Sequence, residues 1–304
     1  MSKTLLDRLL TPAGPIDAVL DTDAYNEIDD QFAIAYLLRS ADRIHTEAIY
    51  AAPFHNAKST GPENGMELSY NEILHIVALA GREDIKERVF RGSRAYLPDE
   101  KTPVPSEACD DLIARALRHS ADEPLYVLAI GAITNVASAI LKCPDIIDHI
   151  VVVWLGGHAL GDPDTREFNM KQDFAAARVV FGCGAALVQL PCRGVVEQLR
   201  TTAPELIHWL RGKNALCDYL CDNTIREAES YAAGKPWSRV IWDISTVAWL
   251  RDTAGKGLSS YLIPAPIPEY DGHYSLDPTR HPMRYVWHIS RDWVFEDLFR
   301  LLTQ

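Results

Sequence analysis

The stretch "VLDTDAYNEIDDQFAIAYLL" (residues 19–38) begins apolar, turns acidic, and becomes apolar again. With "IDAVL" (16–20) its first part reads as a buried strand, and 29–39 carries a helix-length apolar pattern. Between them stand Asp21, Asp23, Glu27, Asp29 and Asp30. Crowded carboxylates raise one another's pKa unless a cation offsets them, so solubility does not account for acids held between two buried segments. A strand end followed by a helix N-terminus favours negative charge, and it is also where open α/β sheets bind their ligands. The expectation is a cation in that seam. Hard oxygen donors without cysteine or histidine select Ca2+ or Mg2+, and Ca2+ better tolerates irregular, high coordination. Helix capping with solvent exposure is the plain alternative.

Outward from the seam, apolar stretches alternate with helical ones. "IHTEAIYAA" (44–52), "RVF" (88–90), "PLYVLAI" (124–130), "HIVVVWLGG" (149–157) and "AALVQLP" (185–191) read as strands. Helical patterns fall at 66–80, 106–119, 134–142 and 171–181. Near-continuous apolar strands spaced by helices predict an α/β fold: an open, mostly parallel, Rossmann-like sheet covered by helices on both faces. From about 200 to 240 the pattern is mainly helical, in "TAPELIHWLRG" and "NALCDYLCDNTIREAESYAAG", and is expected to form a cap. "WDISTVAWLRD" (242–252) reads as a helix. A Pro/Gly-rich stretch from Pro264 to Pro282 follows, then a strand "MRYVWHIS" and a last helix "RDWVFEDLFRLL". No repeat or linker divides the 304 residues, so one domain, 1–304, is expected.

Composition narrows the function classes. Lys+Arg is 30 and Asp+Glu is 42, a net charge of −12, which argues against a surface for nucleic acid polymers but not against a small nucleoside. No apolar run approaches a membrane span, and "MSKTLLDRLLTPAGP" lacks a signal-peptide core, so a cytoplasmic protein is expected. The six cysteines, Cys109, Cys143, Cys183, Cys192, Cys217 and Cys221, are then reduced thiols; Cys217 and Cys221 share a helix face as packing residues.

Other strand ends supply polar residues. "VLAIGAITNVASAI" (127–140) is a strand, a glycine turn and a helix, with Thr134 near the helix start as a cap or a site residue. "VVVWLGGHALGDPDTREFNMKQDFAAARVVF" (151–181) passes Gly156–Gly157 and carries Glu167 and Asn169 in a polar loop. "VIWDISTVAWL" (240–250) sets Asp243 at the start of an apolar helix, where a plain N-cap also fits. Together they mark an α/β active site. The strand-end "VLDTD" also opens like a haloacid dehalogenase-type phosphatase, but Tyr25 stands where that type wants Thr or Val, and Asp29–Asp30 would lack a role.

As a set, these segments resemble the inosine–uridine type nucleoside hydrolases, calcium-dependent N-ribohydrolases with an open α/β fold. "DTDAYNEIDDQFAIA" resembles the longer form of that family's aspartate cluster, and "VLAIGAITNVA" its "LGPLTN" segment, with Ala132 replacing proline. "EFNMKQDFAAARVVF" resembles "EFN…DPEAA…VF", and "WDISTVAWL" the C-terminal "HDPLA" motif. The resemblance implies hydrolysis of ribonucleosides to ribose and free base. It implies Ca2+ held by Asp23, Asp30, Asp243 and the Thr134 carbonyl, with Asp23 as general base. Asp29, Asn56, Glu167 and Asn169 would hold ribose, and Asp21 would support the cluster from below. It also implies a homodimer or homotetramer. A catalytically weak nucleoside- or sugar-binding protein is the non-enzymatic alternative. Two further positions depart from the pattern. The asparagine expected upstream of "EFN" has only Asp162 near it, at altered spacing. Trp242 replaces the histidine before the last aspartate; it can line a pocket or stack on a base, or simply pack beside Trp249. His273, His281, Tyr231 and Trp237 are the remaining candidates around the leaving base.

Overall fold

The computed structural model describes residues 3–304. A one-turn helix α1 (Leu5–Arg8) leads to β1 (Ile16–Thr22), α2 (Asp29–Arg39), β2 (Ile44–Ala51), α3 (Pro62–Leu79) and β3 (Val89–Arg91). The chain then crosses back through α4 (Glu107–Ala116) to β4 (Leu125–Ala129), α5 (Thr134–Lys142), β5 (Ile150–Leu155), α6 (Phe168–Gln172), α7 (Phe174–Gly182) and β6 (Ala186–Leu190). These six strands are parallel in the order β3-β2-β1-β4-β5-β6. The direction of winding reverses between β1 and β4, and such a switch point opens a crevice beyond the strands' carboxyl ends.

The strands read as unbroken apolar runs because both faces are covered. In β1, Ala18 and Leu20 join the core under α2, while Val19 faces the core that includes α4 and α5 residues. β5 divides the same way, Val151 and Val153 against Val152 and Trp154. Each face therefore buries every second side chain.

A short antiparallel ribbon, β7 (Arg200–Thr201) and β8 (Arg239–Val240), brackets the cap helices α8 (Ala203–Trp209) and α9 (Ala215–Ala232). α9 packs on α2 and α3 and buries Leu216, Cys217, Leu220, Cys221 and Thr224, a stripe at helical spacing. All six cysteines are free thiols. α10 (Ile244–Arg251) is almost wholly buried, as its run of apolar residues predicts. Then come β9 (Leu258–Pro264), β10 (Ile267–Pro268), β11 (Tyr274–Ser275), β12 (Pro282–Ile289) and α11 (Arg291–Leu302). β12 adds parallel to β6, and β9 closes the eight-stranded sheet as an antiparallel edge.

Two sequence readings change. The helix expected over 171–181 is broken at Asp173, whose carboxylate accepts from Ala176 N, Leu97 N and the Thr134 hydroxyl and so starts α7 afresh. The Pro/Gly-rich stretch contains strands: Gly272, at φ +89°, turns β10 back on β11. Among the described residues no helix is long and apolar enough to cross a membrane.

Candidate functional site

The acidic seam folds into one crevice. Asp23 follows β1, and a turn in which Asn26 N donates to the Asp23 carbonyl (2.7 Å) leads to the start of α2. Asp29 and Asp30 occupy the first turn of α2, and Asp243 is the N-cap residue of α10. Carboxylate oxygens of Asp29, Asp30 and Asp243 lie within 4.8 Å of one another, and all three residues are buried. Asp30 accepts from the Thr22 hydroxyl, and Asp29 from Trp242 N at 3.2 Å. Asp23 Oδ2 and Asp29 Oδ1 are buried with no hydrogen-bond partner.

Such an arrangement is costly by itself, because a buried, unpaired carboxylate loses its hydration without compensation. Burial, and then the neighbouring carboxylates, push Asp23, Asp29 and Asp243 well above the usual carboxylate range; burial raises Asp30 to about 7. A divalent cation removes that penalty. Orphaned, convergent, oxygen-only donors fit Ca2+. Room for the cluster comes from Gly131 in the turn after β4: a Cβ there would approach Asp23 Oδ1 and Ala52 Cβ to 3.0 Å each.

The crevice encloses about 190 Å³. Asp23, Asp29, Asp30, Glu167, Asn169, Trp242 and Asp243 all line it, seven of the residues singled out in the sequence. Thr134 and Asn56 do not. Thr134 is the first residue of α5 and turns its hydroxyl to Asp173 (2.7 Å); on the β4 side the crevice is lined by Ile130, at the strand end itself. Asn56 stands behind Asn26, donating to its side-chain oxygen at 2.6 Å, and it is Asn26 that reaches the crevice. Sequence reasoning also passed over His158, Cys192 and Arg193. Each follows the end of β5 or β6, the same address that drew attention to the seam.

Glu167 and Asn169 are held rigidly. Glu167 caps α6, accepting from Asn169 N (2.8 Å), Met170 N (3.0 Å) and Gly157 N (2.9 Å). Burial raises its pKa nonetheless. Gly157 sits at φ +74° with the Tyr274 hydroxyl 2.2 Å from where a Cβ would be, so only glycine fits there. Asn169 donates to the carbonyls of Ile130 (3.0 Å) and Leu155 (3.1 Å), which locks its amide across the ends of β4 and β5 and leaves its oxygen free to accept.

Asp21 lies below the crevice, and burial raises it to about 7. Its support is Asn135, which donates to Asp21 Oδ1 (2.7 Å) and to the Ala51 carbonyl (3.2 Å) while accepting from Ser93 N and Oγ. Asn135→Ala would strand several buried partners at once. We expect a loss of roughly 2–4 kcal/mol, read as a lower urea midpoint at unchanged slope. A midpoint shift equivalent to less than about 0.5 kcal/mol, within the range of ordinary surface substitutions, would show that water replaces the amide.

Trp242 is half-buried, packs on the core and lines the crevice. His273, His281, Tyr231 and Trp237 do not line it: His273 is exposed and paired with Asp271, and Tyr231 lies exposed on α9.

The model of the family described as inosine-uridine preferring nucleoside hydrolase matches residues 18–275. A protein of Schizosaccharomyces pombe, the uncharacterized C1683.06c, is 25% identical over 225 residues, covering 61% of this chain and 67% of that protein. The plant nucleoside hydrolase PpNRh1 superposes with a TM-score of 0.71 at 21% identity, over 95% of this chain and 99% of the other. The purine-preferring ribonucleoside hydrolase of Gardnerella vaginalis gives a TM-score of 0.71 at 20% identity, over 94% and 98%. At these identities the superpositions establish the fold, and the family rests on the 18–275 match.

Proposed function

We propose residue roles for a chain that belongs to the inosine-uridine preferring nucleoside hydrolase family. It is a hydrolase of the N-glycosidic bond of ribonucleosides, releasing ribose and base. The observation that carries the site assignment is the buried convergence of Asp29, Asp30 and Asp243 beside the orphaned Asp23 oxygen. The phosphatase alternative is set aside, because the family match, over residues 18–275, spans every motif.

In this reading Asp29, Asp30 and Asp243 would hold Ca2+ with Asp23 beside them, so that Asp29 serves the ion rather than the ribose, and the Thr134 carbonyl would be a further ligand. Calcium bound there supplies positive charge that offsets the carboxylates, anchors sugar hydroxyls and acidifies a water. Asp23 takes the proton of the attacking water. Asn169, with its amide nitrogen committed to two carbonyls, offers its oxygen to a ribose hydroxyl; Glu167 fixes the α6 turn that carries Asn169 and walls the sugar. Asn56 acts through Asn26. The excess of carboxylates favours the positive charge that develops on the ribosyl ring as the base departs, which is stabilisation aimed at the transition state. Trp242 walls the base side.

The substrate is a small riboside. We also infer a cytoplasmic location from the reduced thiols and a homodimer or homotetramer from the family, with the chain as one domain because α9 packs directly on α2 and α3. Ribosides are expected to outperform 2′-deoxyribosides in kcat/KM, since a hydroxyl that the site binds is missing from the latter. Equal rates for inosine and 2′-deoxyinosine would remove the sugar-binding roles.

Trp242 cannot donate a proton as a histidine can. Trp242→Phe is therefore expected to keep most of kcat, while Trp242→Ala raises KM. Activated leaving groups, as in p-nitrophenyl riboside, should react faster than inosine in both. A Trp242→Phe enzyme dead on inosine but active on p-nitrophenyl riboside would instead make the indole N–H essential to base departure.

A further inference from the structure

The crevice that holds the acidic cluster has one basic side chain in its wall, Arg193, on the turn after β6. Its Nε lies 3.1 Å from His158 Nε2 and 3.5 Å from Asp162 Oδ2. The Arg193 backbone N–H also lies 3.3 Å from His158 Nδ1; both arginine groups can only donate, so a neutral His158 accepts one of the two and anchors the turn. Among the described residues the terminal nitrogens of Arg193 make no hydrogen bond, and the side chain is 50% exposed. The planar fork is thus held at its base and open at its tip. The turn that carries it is also fixed: Ala159 N donates to the Arg193 carbonyl (3.0 Å), and a Cβ on Gly194 would meet Ala159 Cβ at 2.6 Å. Two loops are docked on each other to present this guanidinium.

We propose that Arg193, anchored by His158 and Asp162, seats a phosphoryl group on the ribosyl part of the substrate, so that nucleoside 5′-phosphates are turned over in preference to free nucleosides. The inference rests on the N-ribohydrolase reading and names its substrate class. The crevice, at about 190 Å³, is below the ~300–1,000 Å³ of pockets that swallow whole drug-sized ligands, so it is sized for the sugar rather than for a whole nucleotide. Trp242, at the start of α10, offers an aromatic wall suited to a base, and Arg193 lines the same crevice. A guanidinium fork matches a phosphoryl group with two parallel hydrogen bonds, which a neutral hydroxymethyl cannot use. The chemistry is that of the free nucleoside. Water oxygen bonds to C1′, the C1′–N electron pair leaves with the base, which ends protonated, and the phosphate ester stays intact.

The test measures kcat/KM for inosine 5′-monophosphate and for inosine in wild type, Arg193→Gln and Arg193→Lys with calcium. Calorimetric titration of the same proteins with ribose 5-phosphate and with ribose runs alongside, and thermal melts check the fold. Wild type should favour the nucleotide by at least ~10-fold. Arg193→Gln should lower the nucleotide-to-nucleoside ratio ~10–100-fold, the size of a charge-assisted contact, and Arg193→Lys should recover part of it. Wild type that turns over inosine and shows no preference for the nucleotide overturns the proposal, as does an Arg193→Gln ratio equal to that of wild type. If neither compound is hydrolysed, it is the N-ribohydrolase reading that fails, and the titration decides. Tighter binding of ribose 5-phosphate than of ribose, lost in Arg193→Gln, upholds the seat; equal binding of the two sugars refutes it.

Discussion

Asp23→Asn is expected to lower kcat on inosine by at least ~100-fold while calcium occupancy stays near that of wild type. Asp23 differs from its neighbours in a way that makes this separation possible. The tight carboxylate group comprises Asp29, Asp30 and Asp243, whereas Asp23 lines the same crevice from the end of β1 with Oδ2 unpartnered. An amide keeps an oxygen in place but accepts no proton near neutral pH, so it removes the base without emptying the site. KM should move far less than kcat, the sign of an interaction made in the transition state. Near-normal turnover with full calcium occupancy would take Asp23 out of the base role. By contrast, Asp243→Ala should lose calcium and activity together.

The second large effect concerns stability. Removing calcium should lower Tm by roughly 10 °C, the scale expected when a ligand at about a thousand times its Kd is withdrawn. The effect has a direction in pH. Burial raises Asp21 and Asp30 to about 7, against 3.8 for the free side chain. Between those values the unfolded chain holds fewer protons than the folded one, so the chelated protein loses stability as pH rises from about 4 towards 7. Bound calcium keeps Asp30 ionised and cancels its share of that slope, while Asp21, below the crevice, keeps its own. The Tm gain on adding calcium should therefore be larger at pH 8 than at pH 5. A gain that is equal at both, or larger at pH 5, would mean that the carboxylates are not where the ion binds.

Much of this was legible in the sequence, for identifiable reasons. Strands buried on both faces announce themselves as unbroken apolar runs, and α2, α5 and α11 have the bounds that their patterns predicted. Asp23, Asp29 and Asp30 drew attention as carboxylates crowded between buried segments, and Asp243 as a polar residue at a helix start within the segment that resembles the family's C-terminal motif. Edge strand β9 was missed because its burial is only partial and "LSSYLIP" has no clear alternation. The break at Asp173 depends on Leu97 and Thr134, distant in sequence. Thr134 and Asn56 do not line the crevice themselves, and motif spacing does not tell a lining side chain from its support. Arg193 and His158 gain meaning only when two loops dock, which no local pattern encodes.

The most direct measurement is reducing-sugar release from inosine and uridine by the purified protein, first stripped with a calcium chelator and then titrated with Ca2+. Ribose and free base should appear in equal amounts, stop in the stripped protein, and return as calcium refills the Asp29–Asp30–Asp243 cluster, with Asp243→Ala silent throughout. Sustained ribose release from the stripped protein, or full activity in Asp243→Ala, would contradict a calcium-dependent N-ribohydrolase centred on that seam.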